Sequence, residues 1–160
     1  MEADHKRLDG LLDAAFRDPE NIDHASYDAF RAGLLKHIGM EEKILLPMAQ
    51  KLRGGEPLPM AAKLRLDHGA LASLLVPAPT PKIARAIRTV LAAHNPLEEG
   101  PSGVYEQCRT LAGEDAEKVL AELLATKDVP VAMRMDTPKV MEGVRRALER
   151  AGFNESLLDD

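Results

Sequence analysis

A chain of 160 residues is long enough to enclose one apolar core, and 45% of this one is hydrophobic. Charged residues make up 29%, and no apolar run approaches the roughly 18 residues of a membrane span, so a transmembrane helix is excluded. A net charge of −5, with basic residues scattered rather than gathered beside aromatics, argues against nucleic acid as a partner.

Apolar spacing predicts helices throughout, since Val/Ile/Thr alternation and Asn-Gly hairpin signals are both missing. The first helix is expected over residues 2–16, ending before Asp18-Pro19. The second should start near Ser26 or Tyr27 and stop at Gly54-Gly55, which leaves His24 in an exposed turn. Pro57 and Pro59 open the third, which runs to about residue 75 and is stopped by Val76-Pro77-Ala78-Pro79. Thr80-Pro81 supplies an N-cap and first-turn residue for the fourth, which breaks at Gly100-Pro101-Ser102-Gly103. Short helices near residues 104–111 and 114–127, an irregular stretch after Pro130, and a last helix from Thr137-Pro138 to Gly152 complete the chain. The single cysteine, Cys108, permits no intrachain disulfide, and residues 1–7 lack the apolar stretch of a signal peptide. Both point to a cytoplasmic protein. With 3% aromatics and no Trp, the core must be mostly Leu, Ala, Ile and Met.

Each of the first four helices carries an apolar seam stepping by threes and fours. The seams read His5, Leu8, Leu12, Ala15; Phe30, Leu34, His37, Glu41, Ile44, Met48; Ala61, Leu64, His68, Leu71, Leu75; and Ile83, Ile87, Leu91, His94, Glu98. In every one a titratable residue holds a core position, where an unpartnered charge is costly. His37 with Glu41, and His94 with Glu98, are four apart, so each pair leaves one helix face one turn apart. A metal is the economical compensation, because imidazole and carboxylate suit iron and related first-row ions. Depth agrees: at about 1.5 Å per residue, His5 and His37 each lie about 11 residues from the connection between their helices, and antiparallel helices return them to one level. Four imidazoles and two bridging carboxylates supply about eight bonds, against about ten to twelve for two five- or six-coordinate irons. The remaining positions would go to an oxo or hydroxo bridge, water or a small exogenous molecule. Asp4, Glu42, Asp67 and Glu99 each adjoin a seam residue and are candidates to orient the ligands, or else solvated neighbours.

Asp4-His5 followed by Leu8, His37…Glu41-Glu42…Leu45-Leu46-Pro47, Asp67-His68 followed by Leu71, and His94…Glu98-Glu99 together resemble the hemerythrin-like, or HHE cation-binding, family. The resemblance spans roughly residues 1–110. It implies an all-α fold, an up-down-up-down four-helix bundle, with a non-haem di-iron centre held by His5, His37, Glu41, His68, His94 and Glu98. Residues 1–112 would form that bundle and 113–160 a C-terminal helical extension packed on it. The chain departs from oxygen-carrying hemerythrins at Ala72, where they have a further histidine, and in the shorter spacing from His94 to Glu98. The expectation is therefore a di-iron protein that binds or senses oxygen or nitric oxide, or handles iron. Pro96, inside the last motif, removes a helix hydrogen bond beside Glu98.

Other readings stay open on the residues alone: a small di-metal oxidoreductase, a single-metal or zinc site, a ferritin-like carboxylate centre, or a helical protein whose histidines are only hydrogen-bonded. The ferritin-like reading finds one Glu-x-x-His, at Glu2…His5. No nucleotide-binding glycine motif and no proton-relay residue on the seams is evident. Tyr105 and Cys108 read as packing residues, and Arg145, Arg146 and Arg150 as a solvated face.

Overall fold

Leu8, Leu12 and Ala15 turn one face of the first helix into the interior, and segments with that spacing are helical in the computed structural model, which describes residues 1–159. The fold is all-α, with no strand among the described residues. α1 spans Glu2–Ala15, with Glu2 and Asp4 in its first turn, where the positive end of the helix dipole favours them. α2 spans His24–Met40. It begins earlier than the apolar pattern suggests because Asp23 caps it, accepting from the N–H groups of Ala25 and Ser26. His24 is therefore helical rather than in a turn, though exposed as expected.

A π turn, Glu41–Leu45, joins α2 to α3 (Leu46–Leu52). Here the Leu46 N–H bonds the Glu41 carbonyl, five residues back. The cause is adjacent: Pro47 has no N–H to give, and its ring crowds the carbonyl four residues back. The extra residue shifts the seam. Leu45 and Ala49 are buried where unbroken spacing predicted Ile44 and Met48, which are only partly covered.

α4 spans Ala61–Leu74 and starts later than its prolines suggested. Proline disfavours helical backbone in the residue before it, so Leu58-Pro59 can only form the turn that precedes the helix. α5 spans Pro81–Glu99, with the Thr80 hydroxyl accepting the Ile83 N–H at 3.2 Å, and it continues through Pro96. α6 (Val104–Ala112), α7 (Ala116–Leu124) and α8 (Pro138–Arg150) follow, α8 capped by Thr137. A short 3-10 turn, Glu155–Leu158, closes the chain. No helix among the described residues is long and apolar enough to cross a membrane.

Two apolar clusters result. One gathers Leu12, Phe30, Leu71 and Ile87 around Leu148, and the other gathers Met40, Leu45, Leu64, Val104, Cys108 and Leu123. Along α2, α4 and α5 the histidines fall where the chain passes between them. The C-terminal segment belongs to the same interior: Val144, Leu148, Ala151 and Leu158 complete the first cluster, and Leu123 joins the second. Asp160, the last residue of the expected extension, lies outside the described residues. Arg31, almost fully buried, donates to the carbonyls of Leu75 (2.9 Å) and Ala132 (3.1 Å), pinning the irregular stretch before α8. Arg145, Arg146 and Arg150 lie on the solvated face of α8, as predicted.

Leu148 is fully buried, so Leu148→Ala should cost about 2–5 kcal/mol. Urea unfolding should show one transition at a lower midpoint. A separate C-terminal transition, with the main one unmoved, would mean that the segment folds apart from the rest.

Candidate metal centre

His5 stands in the first turn of α1, His37 near the end of α2, Glu41 at the head of the π turn, His68 in the middle of α4, and His94 and Glu98 in the last turns of α5. All six predicted residues are 1% to 6% exposed. They converge as two groups of four that share both glutamates: His5, His37, Glu41 and Glu98, and Glu41, His68, His94 and Glu98.

In the first group His5 Nε2 lies 2.7 Å from His37 Nε2 and 3.4 Å from Glu98 Oε2, with His37 Nε2 3.2 Å from Glu41 Oε1. In the second, His68 Nε2 lies 3.1 Å from Glu41 Oε2 and 3.7 Å from Glu98 Oε1, and His94 Nε2 3.0 Å from Glu98 Oε1. Each glutamate turns one oxygen to each group. Donors about 2.1 Å from a shared cation stand about 3 Å apart, which is the spacing seen here.

The outer nitrogen of every ring meets a different carboxylate. His5 Nδ1 is 2.5 Å from Glu99, His37 Nδ1 2.9 Å from Asp4, His68 Nδ1 2.7 Å from Glu42 and His94 Nδ1 3.4 Å from Asp67. These are the four acidic neighbours that the sequence offered either as orienting groups or as solvated bystanders. A carboxylate only accepts, so Nδ1 carries the proton and a neutral ring turns the lone pair of Nε2 inward. Arg7, Arg65 and Lys63 in turn brace Asp4, Glu42 and Asp67.

Whether a cation fits can be judged from the atoms left over. Glu41 Oε2, His68 Nε2 and Glu98 Oε1 are buried with no hydrogen-bond partner among the described residues, although Glu41 Oε2 and His68 Nε2 stand 3.1 Å apart. The His5 and His37 Nε2 lone pairs face one another at 2.7 Å. Buried acceptors aimed at one another are costly, and a positive ion at their centre satisfies all of them. The residues fit a metal.

With protein groups alone as neighbours, His37, His68 and His94 hold protons instead. Burial pulls His37 down, but Asp4 and Glu41 more than reverse this, to about 9. Burial likewise lowers His68, and Glu41, Glu98 and Glu42 raise it to about 10. His94 is raised through Asp67 and Glu98 against its own burial. Burial pushes Glu41 up, yet His37 and His68 hold it well below the usual carboxylate range. The hydrogen bond from His37 is the main force that takes Asp4 down to about 2.

Tyr105, which the sequence suggested was ordinary packing, is in the site. Its hydroxyl donates to Glu41 Oε1 at 2.5 Å and lies 3.1 Å from Glu98 Oε2, 3.1 Å from His5 Nε2 and 3.2 Å from His37 Nε2. The glycine turn after α5 puts it there. At Gly103 a Cβ would come within 2.5 Å of the Glu98 carbonyl oxygen, so glycine lets α6 fold back tightly. That glycine-proline break was the available signal. Burial, then the charges of Glu41 and Glu98, push the phenol well above its ordinary value. Cys108, one turn further, is buried core as expected, its Sγ 4.0 Å from the Leu45 carbonyl.

Comparison with models of known protein families, with curated proteins and with solved structures found no match.

The raised histidines set a pH dependence in the presence of chelator. Folding raises His37 and His68 from about 6.5 to about 9 and about 10, so their contribution is complete below about 6.5 and is lost as pH rises through 9 to 10. The melting temperature of chelated protein should fall between pH 7 and pH 10, and fall less in His68→Gln. A flat or rising curve for the parent protein would contradict the protonation scheme.

Proposed function

We propose that this chain is a non-haem di-iron binding protein of hemerythrin type, which binds or senses oxygen or nitric oxide or handles iron. The observation that carries the reading is the division of each glutamate between the two histidine pairs, Oε1 of Glu41 toward His37 and Oε2 toward His68, with Glu98 disposed likewise. Two carboxylates that each offer one oxygen to each of two histidine pairs suit two ions side by side better than one. Imidazole and carboxylate donors in that ratio suit iron.

The helix arrangement supports the same reading. α1 packs along α2, and α4 along α5, while α2 continues through the π turn into α3. His5 at the start of α1 meets His37 near the end of α2, as in an up-down pair, and His68 on α4 meets His94 near the end of α5. We read α1, α2 with α3, α4 and α5 as an up-down-up-down four-helix bundle with the two ions inside it.

Bound iron would supply one-electron redox change and coordination positions open to a diatomic molecule. The protein's part is to fix the rings through Asp4, Glu42, Asp67 and Glu99, exclude water with the flanking clusters, and keep the donors deprotonated. Ala72 gives the His68/His94 side no further histidine, so that side is more open than in an oxygen carrier, which favours sensing or redox use over reversible carriage.

Anaerobic reconstitution should give about two irons per chain. Glu41→Ala removes a donor to both groups and should lose most of the metal, whereas the exposed His24→Ala should keep it. A stoichiometry near one, zinc held against excess iron, or equal behaviour of the two variants would overturn the assignment. Reduced, iron-loaded protein should change its visible absorption with oxygen or nitric oxide. Repeated oxygen consumption with a reductant would identify turnover in place of binding.

A further inference from the structure

The Tyr105 hydroxyl is surrounded by four atoms that the di-iron reading turns toward an ion. Glu41 Oε1, Glu98 Oε2, His5 Nε2 and His37 Nε2 lie 2.5, 3.1, 3.1 and 3.2 Å from it. These match the separations of His5 from His37, His5 from Glu98 and His37 from Glu41, 2.7, 3.4 and 3.2 Å. A phenol donates one proton and otherwise only accepts; with His5 and His37 neutral and protonated at Nδ1 their Nε2 atoms have no proton to give it, so in that state one of the four contacts is a hydrogen bond and three are not. All four are explained together if the oxygen is a fifth vertex of the same coordination shell. An apolar cavity of about 470 Å³, lined by Leu45, Met48, Cys108 and Val119, is also lined by Tyr105 but by none of the six predicted donors. The ring therefore has apolar space beside it while its oxygen points to the donors.

We propose that Tyr105 is a seventh protein ligand, giving its phenolate oxygen to the ion held by His5, His37, Glu41 and Glu98. The inference rests on the di-iron reading above. On binding, the phenol O–H bond breaks, the proton leaves to solvent, and an oxygen–metal bond forms without electron transfer. The consequence is asymmetry. One ion has five protein donors, while the ion at His68 and His94 has four. Exogenous small molecules are then directed to the His68/His94 side.

Iron-loaded, air-oxidised protein provides the test, with iron content, visible spectrum and resonance Raman measured on one sample. Phenolate bound to ferric iron gives a visible charge-transfer band and enhanced tyrosinate ring vibrations. The chain has two tyrosines, and Tyr27 lies in the other apolar cluster, between Phe16 and Phe30. Tyr27→Phe should keep the band, which then belongs to Tyr105, and Tyr105→Phe should abolish it while iron remains. Iron bound without the band, or a band that survives Tyr105→Phe, overturns the tyrosine ligand and leaves the di-iron reading standing. Failure to bind iron at all removes both.

Discussion

Four imidazoles, each held at Nδ1 by a carboxylate, turn four Nε2 atoms and two further carboxylates into one buried layer between apolar clusters. That polar layer is the constraint to which the rest of the molecule is fitted. Its members are too close, and too alike in being acceptors, to satisfy one another. Only protons or cations can make the layer tolerable. The raised histidines are the proton solution, and the proposed irons are the metal solution. Asp4, Glu42, Asp67 and Glu99 serve both, since they fix the ring orientation whichever is present.

Two prolines show how the backbone is fitted to that layer. Pro47 follows Glu41 by six residues and forces the ladder open just behind it, so Glu41 keeps the α2 phase with His37 while everything after it is rotated by one residue. Pro96 lies between His94 and Glu98 and deletes a hydrogen bond without ending α5. In both motifs the carboxylate sits beside a weakened stretch of helix. The glycine turn at residues 100–103 then brings α6 back, and with it Tyr105.

Much of this was legible in the sequence. All four seams placed their histidine and glutamate residues in the interior, and the acidic residue beside His5, Glu41, His68 and Glu98 proved in each case to hydrogen-bond a ligand histidine on another element. What stayed illegible had physical causes. The π turn breaks the period on which the reading of Ile44 and Met48 depended, and nothing in a seam marks where a ladder will open by one residue. Asp23 outbid the apolar pattern for the start of α2. Tyr105 lies on a short helix outside the four seams, so its place in the site depends on the path of a turn rather than on helical spacing. Which residues of 113–159 would join the interior was equally hidden, because Val144 and Leu148 are covered only once α8 has been brought against α4.

The burial of Leu158 in the same cluster as Leu8 has a consequence for how the chain acquires its structure. One apolar cluster draws on residues from both ends of the described chain. The apolar face of α1 stays wet until α8 and the turn after it have reached the cluster. Closure is thus a long-range event, the kind that slows folding and prolongs exposure of apolar surface. A chain cut between α7 and α8 would keep its metal-site residues and lose Val144, Leu148, Ala151 and Leu158 from this cluster.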